Sequence, residues 1–217
     1  MAVKVSASIL DCDFTRLKEE LLAVVNAGID AIHLDIMDGH FVPNLSFGVP
    51  IARAVRQLTK LPVYSHLMVL NPEKMIERFS PYSDFILFHI EATTHTDDCI
   101  TAIYQSGCQP GLALNPDTPI DTIIPYLPRI MNVLVMSVFP GFGGQKFIPE
   151  SLSRIHRLHQ LRAEKDFKYT ISVDGGVSPL NCSAIVNAGA DILVAGSAIF
   201  KSNDYAQTIC QLRCLNH

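Results

Sequence analysis

The segment HLDIMDGHFVPN, residues 33–44, places His33, Asp35 and Asp38 within six positions that also hold the apolar residues of a predicted strand. Side chains alternate between the two faces of a strand, so His33, Asp35 and Met37 share one face. A buried carboxylate without a partner is costly, and a bound cation removes that cost. A histidine and an aspartate two residues apart on one strand face are therefore candidates for metal binding or proton transfer.

Similar polar residues stand at the ends of other predicted strands. His66 lies on the third strand, His89 and Glu91 follow the fourth, and Asp174 ends the seventh. Imidazole nitrogen combined with carboxylate oxygen suits Zn²⁺, Fe²⁺, Mn²⁺ or Co²⁺. The pattern thus predicts one divalent metal ion of this group, held by two imidazoles and two carboxylates. The predicted ligands are His33, Asp35, His66 and Asp174.

Two other interpretations of these residues stay open. Each polar side chain could instead be an ordinary buried group whose hydrogen bonds are satisfied in the core. His89 and Glu91 have the same spacing as His33 and Asp35, so they are either a rival ligand pair or partners that orient the ligands from behind.

These residues are positioned by a repeating pattern of short apolar strands and helical stretches. Residues 14–27 are predicted to form a helix with Asp13 as its N-cap, because Leu17, Leu21, Leu22 and Val25 form an apolar stripe at helical spacing. Further helices are predicted over residues 150–163, 182–188 and 203–213. Eight strands alternating with about eight helices predict parallel strands, and the count favours an α/β fold of the (β/α)8 TIM-barrel class, a single domain over residues 1–217. The predicted strands are residues 3–8, 30–36, 62–69, 84–88, 109–114, 132–138, 169–173 and 191–195.

In such a barrel Asp35 and Asp174 belong to strands that are three positions apart around the ring, and we expect them to face each other across much of the mouth. Two carboxylates on opposite sides of a substrate carbon can remove a proton from one face and return one to the other, which inverts the carbon. A metal would act as Lewis acid for the enediolate. Met37, Met68 and Met136 are either core filler or a lining that excludes water.

Glycine-rich loops follow the last three strands, in the region that often binds phosphate in barrels. PGFGGQ follows strand 6, DGG strand 7 and AGS strand 8. Backbone N–H groups at Gly144, Gly176, Gly196 and Ser197 could donate to phosphate oxygens, and a short helix is expected near Ser197.

Composition excludes several classes of function. The formal net charge of −4 and the scattered Lys and Arg residues argue against nucleic acid as partner. The sequence has no apolar run long enough for a membrane span and no signal-peptide pattern, so a cytoplasmic location is expected. Cys210 and Cys214, one helical turn apart, are expected to pack rather than to form a disulfide or a metal site. Apolar stripes on the outer helices predict a homo-oligomer.

The sequence resembles the ribulose-phosphate 3-epimerase family over residues 6–200, almost the whole chain. The segments that carry the resemblance are SASILDCDF, HLDIMDGHFVPNLSFG, HLMV, FHIEA, GLALNPDTP, VMSVFPGFGGQKF, SVDGGV and NAGADILVAGSAIF. Two positions depart from the family pattern: Ala7 stands where proline is usual, and Phe139 stands where a polar residue is common.

The resemblance implies metal-dependent interconversion of D-ribulose 5-phosphate and D-xylulose 5-phosphate. It implies that Asp35 and Asp174 are the acid/base pair and also metal ligands together with His33 and His66. His89 and Glu91 then become supporting residues. The implied substrate contacts are Ser8, His66, Gly141, Phe142, Gly143, Gly144, Asp174, Gly175, Gly176, Gly196 and Ser197.

Three alternatives remain beside this small-molecule epimerase. A 3-epimerase of a ketohexose 6-phosphate such as D-allulose 6-phosphate would use the same proton chemistry on a longer sugar. A sugar-phosphate-binding barrel without catalysis would not need both Asp35 and Asp174. A metal-dependent hydrolase would need an open site with a water nucleophile.

Overall fold

Eight parallel strands close into a barrel in the computed structural model, which describes residues 3–213. Each strand pairs with its neighbours in chain order, and β8 returns to β1. The predicted (β/α)8 barrel is therefore confirmed. The strands are β1 Lys4–Ser8, β2 Ala31–Met37, β3 Val63–Met68, β4 Phe85–His89, β5 Gln109–Leu114, β6 Asn132–Met136, β7 Thr170–Asp174 and β8 Ile192–Ala195.

The predicted strands match these within two residues at either end. The largest difference is in β6, which was expected to reach residue 138 and ends at Met136. There Ser137 leaves the regular ladder, and its hydroxyl lies within hydrogen-bond distance of the carbonyl oxygens of Asp174 (2.9 Å) and Gly175 (2.7 Å), to which its one proton can be donated. This joins the loops after β6 and β7 at the edge of the predicted site.

The helices do not follow the strands one for one. The β5–β6 connection contains the 3-10 helices Ile120–Thr122 and Ile124–Arg129 and no α-helix. Pro125 and Pro128 lack backbone N–H groups, so a regular α-helical ladder cannot form there. Two helices follow β8 instead. The α-helices are α1 Leu17–Asn26, α2 Val49–Leu58, α3 Ile76–Phe79, α4 Thr96–Gln105, α5 Ser151–Lys165, α6 Cys182–Asn187, α7 Ser197–Phe200 and α8 Tyr205–Leu212.

The prediction of one helix over residues 14–27 is wrong at its start. Asp13 caps a separate 3-10 turn, Phe14–Arg16, and Arg16 has a non-helical backbone (φ −129°, ψ 29°), so α1 begins only at Leu17. The fully buried face of α1 is formed by Leu21 and Val24.

The core has two layers because successive strand residues point to opposite sides of the sheet. On β2, Ile32 and Leu34 pack in the large apolar layer between strands and helices. Ala31 packs inside the barrel with Tyr64 and Leu87. The interior layer becomes polar toward the carboxyl ends of the strands, which is where the predicted site lies.

No helix within residues 3–213 is long and apolar enough to cross a membrane. Cys12, Cys99 and Cys108 are buried. Cys214, one of the pair expected to pack together, lies outside the described residues.

Candidate active site

Strand register brings the predicted ligands together at the carboxyl ends of β1, β2, β3 and β7. Ser8 is the register partner of His33, and Asp35 is the partner of His66. Asp174 ends β7 and reaches the same point from the other side of the barrel. The Ser8 hydroxyl donates to Asp35 Oδ2 at 2.6 Å, which fixes the orientation of that carboxylate.

The four predicted ligands form one compact cluster. Their candidate ligand atoms all lie within 4.8 Å of one another. His33 Nε2 is 3.2 Å from Asp35 Oδ1 and 3.7 Å from Asp174 Oδ2. His66 Nδ1 is 3.1 Å from Asp35 Oδ1 and 3.8 Å from Asp174 Oδ2. The strand count suggested that the two aspartates would face each other across much of the mouth. They lie closer together than that, because inward-pointing side chains converge inside a closed barrel of eight strands.

This cluster fits a divalent cation. Two imidazole nitrogens, 3.3 Å apart, and two carboxylate groups meet in one buried pocket. Three of the side chains are at most 5% exposed, and that of Asp174 is 16% exposed. Such a concentration of electron pairs is unfavourable in a dry interior unless a positive charge lies between them. Two nitrogen and two oxygen ligands are a common set for Zn²⁺ and similar metals.

The pKa values of the four clustered side chains are shifted in different directions. Burial would raise the pKa of Asp35, but the charge and hydrogen bonds of His33 and His66 hold it well below its usual range. Burial raises the pKa of Asp174 to about 7, and the negative charge of Asp35 adds to that effect. Burial lowers the pKa of His66 to about 3, so its imidazole is neutral near pH 7. Burial alone would lower the pKa of His33, but Asp35 raises it.

A chain of hydrogen bonds supports the cluster from behind. His66 Nε2 is 2.9 Å from His89 Nε2, and His89 Nδ1 is 3.2 Å from Glu91 Oε2. His89 is fully buried and does not belong to the four-residue cluster. The rival ligand pair thus lies one step outward, where it can orient His66.

A cavity opens above the cluster and extends to the glycine loops. Asp35 and Asp174 line it, and so do the side chains of Met37, Met68 and Met136, each at most 6% exposed. The lining contains every predicted substrate contact except His66, which is fully buried beneath. The predicted residues in the lining are Ser8, Gly141, Phe142, Gly143, Gly144, Asp174, Gly175, Gly176, Gly196 and Ser197.

Comparison with known proteins fits this geometry. Residues 4–200 match the model of the ribulose-phosphate 3 epimerase family. This chain belongs to the ribulose-phosphate 3-epimerase family. A protein named ribulose-phosphate 3-epimerase from Methanocaldococcus jannaschii is 46% identical, covering 97% of this chain and 90% of the relative. One of the same name from Synechocystis is 45% identical, over 97% and 93% of the two chains.

Solved structures add support for the fold alone. The crystal structure of KGPDC from Streptococcus mutans superposes with a TM-score of 0.74. It is only 13% identical, over 99% of this chain and 97% of that one. The ribulose-phosphate 3-epimerase family assignment therefore rests on sequence, whereas the superposition supports only the barrel seen in the strand topology.

Two polar residues of the cavity wall were not predicted from the sequence. Asp11, just after β1, and Gln145, in the loop after β6, both line the cavity. The signal for Asp11 was present, because it lies three residues beyond Ser8 in the matched segment SASILDCDF. Phe139 stands next to the glycine loop but is 53% exposed and not part of the lining, and Ala7 is fully buried in β1.

Proposed function

We propose that this chain interconverts D-ribulose 5-phosphate and D-xylulose 5-phosphate by proton transfer at C3 between Asp35 and Asp174. The observation that carries the proposal is that both carboxylates line the same cavity as the glycine loops after β6, β7 and β8. One end of that cavity offers acid and base groups, and the other offers backbone N–H groups without Cβ atoms to block a phosphate.

Asp35 and Asp174 suit the two roles because their surroundings move their pKa values in opposite directions. In the metal-free site one carboxyl group is then ionised and the other is protonated. During turnover one carboxyl group accepts the C3 proton on one face of the carbon, and the other donates a proton to the opposite face. The reverse reaction exchanges the roles. Ser8 holds Asp35 in place, and the three methionines exclude water from the enediolate.

His33, Asp35, His66 and Asp174 would hold one divalent ion. When bound, Zn²⁺, Fe²⁺, Mn²⁺ or Co²⁺ would supply positive charge beside the substrate oxygens, which lowers the cost of the negative charge that develops there. His66 Nδ1 faces the cluster, so a neutral His66 that offers this nitrogen to the ion would carry its proton on Nε2 and donate it to His89.

The test is incubation of the purified protein with D-ribulose 5-phosphate in D₂O, followed by NMR at C3. We expect xylulose 5-phosphate carrying deuterium at C3, loss of the reaction after chelator treatment, and recovery with a divalent metal. Absence of exchange in the metal-loaded protein would overturn the proposed substrate, and D-allulose 6-phosphate would then be tested.

A further inference from the structure

Asp11 places a carboxylate inside the loops that are proposed to hold the phosphate. It ends the 3-10 turn Ile9–Asp11 that follows β1. A Cβ built on Gly143 would lie 2.7 Å from Asp11 Oδ2, and a Cβ on Gly196 would also lie 2.7 Å from it. The carboxylate therefore lies between the loop after β6 and the loop after β8, and the absence of side chains at both glycines makes room for it.

Lys201 is the ionic partner of this carboxylate. Its Nζ is 3.5 Å from Asp11 Oδ1 and 4.0 Å from a Cβ built on Gly144. The Lys201 side chain is 67% exposed, whereas that of Asp11 is 16% exposed. A long, solvent-exposed stem lets the ammonium group move by several ångströms while the aspartate stays in place.

The Asp11–Lys201 pair affects the balance of charge around the cavity. Asp11, Asp35 and Asp174 line the cavity, and no Lys or Arg within residues 3–213 does so. A cation at the ligand cluster would offset Asp35 and Asp174 but would leave Asp11 next to the incoming phosphate. Lys201 carries the positive charge that can offset it, and an ammonium with three donors is a good phosphate ligand.

We propose that Lys201 is a phosphate-binding residue and that Asp11 competes with the phosphate for it. Without substrate Lys201 pairs with Asp11; when a sugar phosphate binds, the ammonium turns to the phosphate oxygens. Asp11 weakens the affinity for phosphate and so favours release of the product. This inference rests on the proposed function, because it takes the glycine loops as the phosphate site.

The two variants should act in opposite directions. Lys201→Met should raise the dissociation constant for inorganic phosphate about tenfold, because it removes one charge-assisted contact. Asp11→Asn keeps the size of the side chain and removes its charge, so it should lower that constant. Both changes should fall mainly on KM for the sugar phosphate rather than on kcat.

We would titrate inorganic phosphate into the wild-type protein and each variant by calorimetry, and measure KM and kcat in the same buffers. Lys168→Met is the matched control. Lys168 pairs with Asp166 before the amino end of β7, at the opposite end of the barrel, and its loss changes the net charge equally. We expect phosphate affinity and KM of this control to match the wild type.

Unchanged phosphate affinity in Lys201→Met, or weaker binding in Asp11→Asn, would overturn the inference. Failure of the proposed function looks different: phosphate affinity would shift as expected in both variants, but no sugar phosphate would exchange at C3. Conversely, normal epimerisation with unchanged phosphate affinity and KM in Lys201→Met would refute only the role of Lys201.

Discussion

Replacing Glu91 with glutamine tests whether the buried histidine chain supports the metal site. His66 Nδ1 faces the cluster, and its Nε2 lies 2.9 Å from His89. If His66 binds a cation through Nδ1, its proton must be on Nε2 and must be donated to His89 Nε2. His89 then carries its own proton on Nδ1, 3.2 Å from Glu91 Oε2. One carboxylate thus fixes the tautomers of two histidines.

Glutamine cannot reproduce this arrangement. Glu91 Oε1 accepts hydrogen bonds from the Asn115 N–H at 2.8 Å and from the Thr118 hydroxyl, while Oε2 faces His89. A glutamine has one oxygen, so its NH₂ group must face one of these donors. If the NH₂ group faces His89, Nδ1 of His89 must accept and the His89 proton moves to Nε2. That N–H then points at the proton on His66 Nε2, and the two repel each other. The His66 proton is then favoured on Nδ1, the ligand atom.

We expect Glu91→Gln to weaken metal affinity about 10- to 100-fold, as loss of a ligand's outer partner typically does. This corresponds to about 1.4 to 2.7 kcal/mol of binding free energy. A competition titration of Zn²⁺ or Co²⁺ against a chelator measures it directly. Glu73→Gln is the matched control, because Glu73 loses the same charge but contacts Thr93 rather than a histidine.

The same variant has a signature in acid that does not depend on metal. Burial would raise the pKa of Glu91, but the hydrogen bonds from His89, Thr118 and Asn115 lower it from 4.5 to about 2. This lowering stabilises the folded chain above pH 4.5, and the contribution is lost as pH falls from 4.5 toward 2.

In chelator-treated protein, the unfolding free energies of wild type and Glu91→Gln should differ near pH 7 and converge near pH 2. Metal affinity equal to that of the wild type, combined with parallel stability curves, would refute the proposed chain from Glu91 to His66.

Other outcomes follow from the same geometry. Asp35→Asn and Asp174→Asn should each reduce turnover about 10²- to 10⁴-fold while leaving the fold intact by circular dichroism, and wild-type turnover in either would remove the two-carboxylate mechanism. Because the pKa of Asp174 is raised to about 7, its contribution to stability is lost as pH rises from 3.8 through 7, so Asp174→Asn should raise Tm of the chelator-treated protein at pH 8; a lower Tm would contradict this. Gly111→Ala should lower the unfolding free energy by about 1 to 3 kcal/mol in denaturant titrations, since its Cβ would lie 2.3 Å from Leu87 Cδ2, and an unchanged midpoint would show that the interior can relax.

The strands of this barrel could be predicted from sequence because parallel strands buried on both faces leave continuous apolar runs, as DFILF does before His89. The loops were harder to predict. Residues 120–129 have apolar residues at helical spacing, yet Pro125 and Pro128 limit them to 3-10 turns. At Arg16 a single non-helical residue splits the first predicted helix, and nothing in the local pattern marks it.

The sequence predicted which strand ends carry the site residues, but not how far each side chain lies below the mouth of the barrel. The alternation of side chains on β2 predicted that His33 and Asp35 share one face. The register between β2 and β3 pairs Asp35 with His66, which brings His66 into contact with both residues. How far a side chain reaches across the barrel depends on closure of all eight strands, so the separation of Asp35 and Asp174 was overestimated. Burial of His66 below the cavity wall also follows only from closure, and its predicted contact with substrate stays a prediction.

The carboxylates of the cavity wall lie at both of its ends, the acid/base end and the phosphate end. Their charges can be changed separately, so the proposed epimerase function and the proposed role of Lys201 can be tested independently. The wall presents three carboxylates, and within residues 3–213 no Lys or Arg side chain lines it. An anionic substrate would be repelled by such a wall unless cations are supplied. A dication at the cluster would offset Asp35 and Asp174, and Lys201 offsets Asp11. A chelator should therefore change the acid/base end, whereas Lys201→Met should change only affinity at the phosphate end.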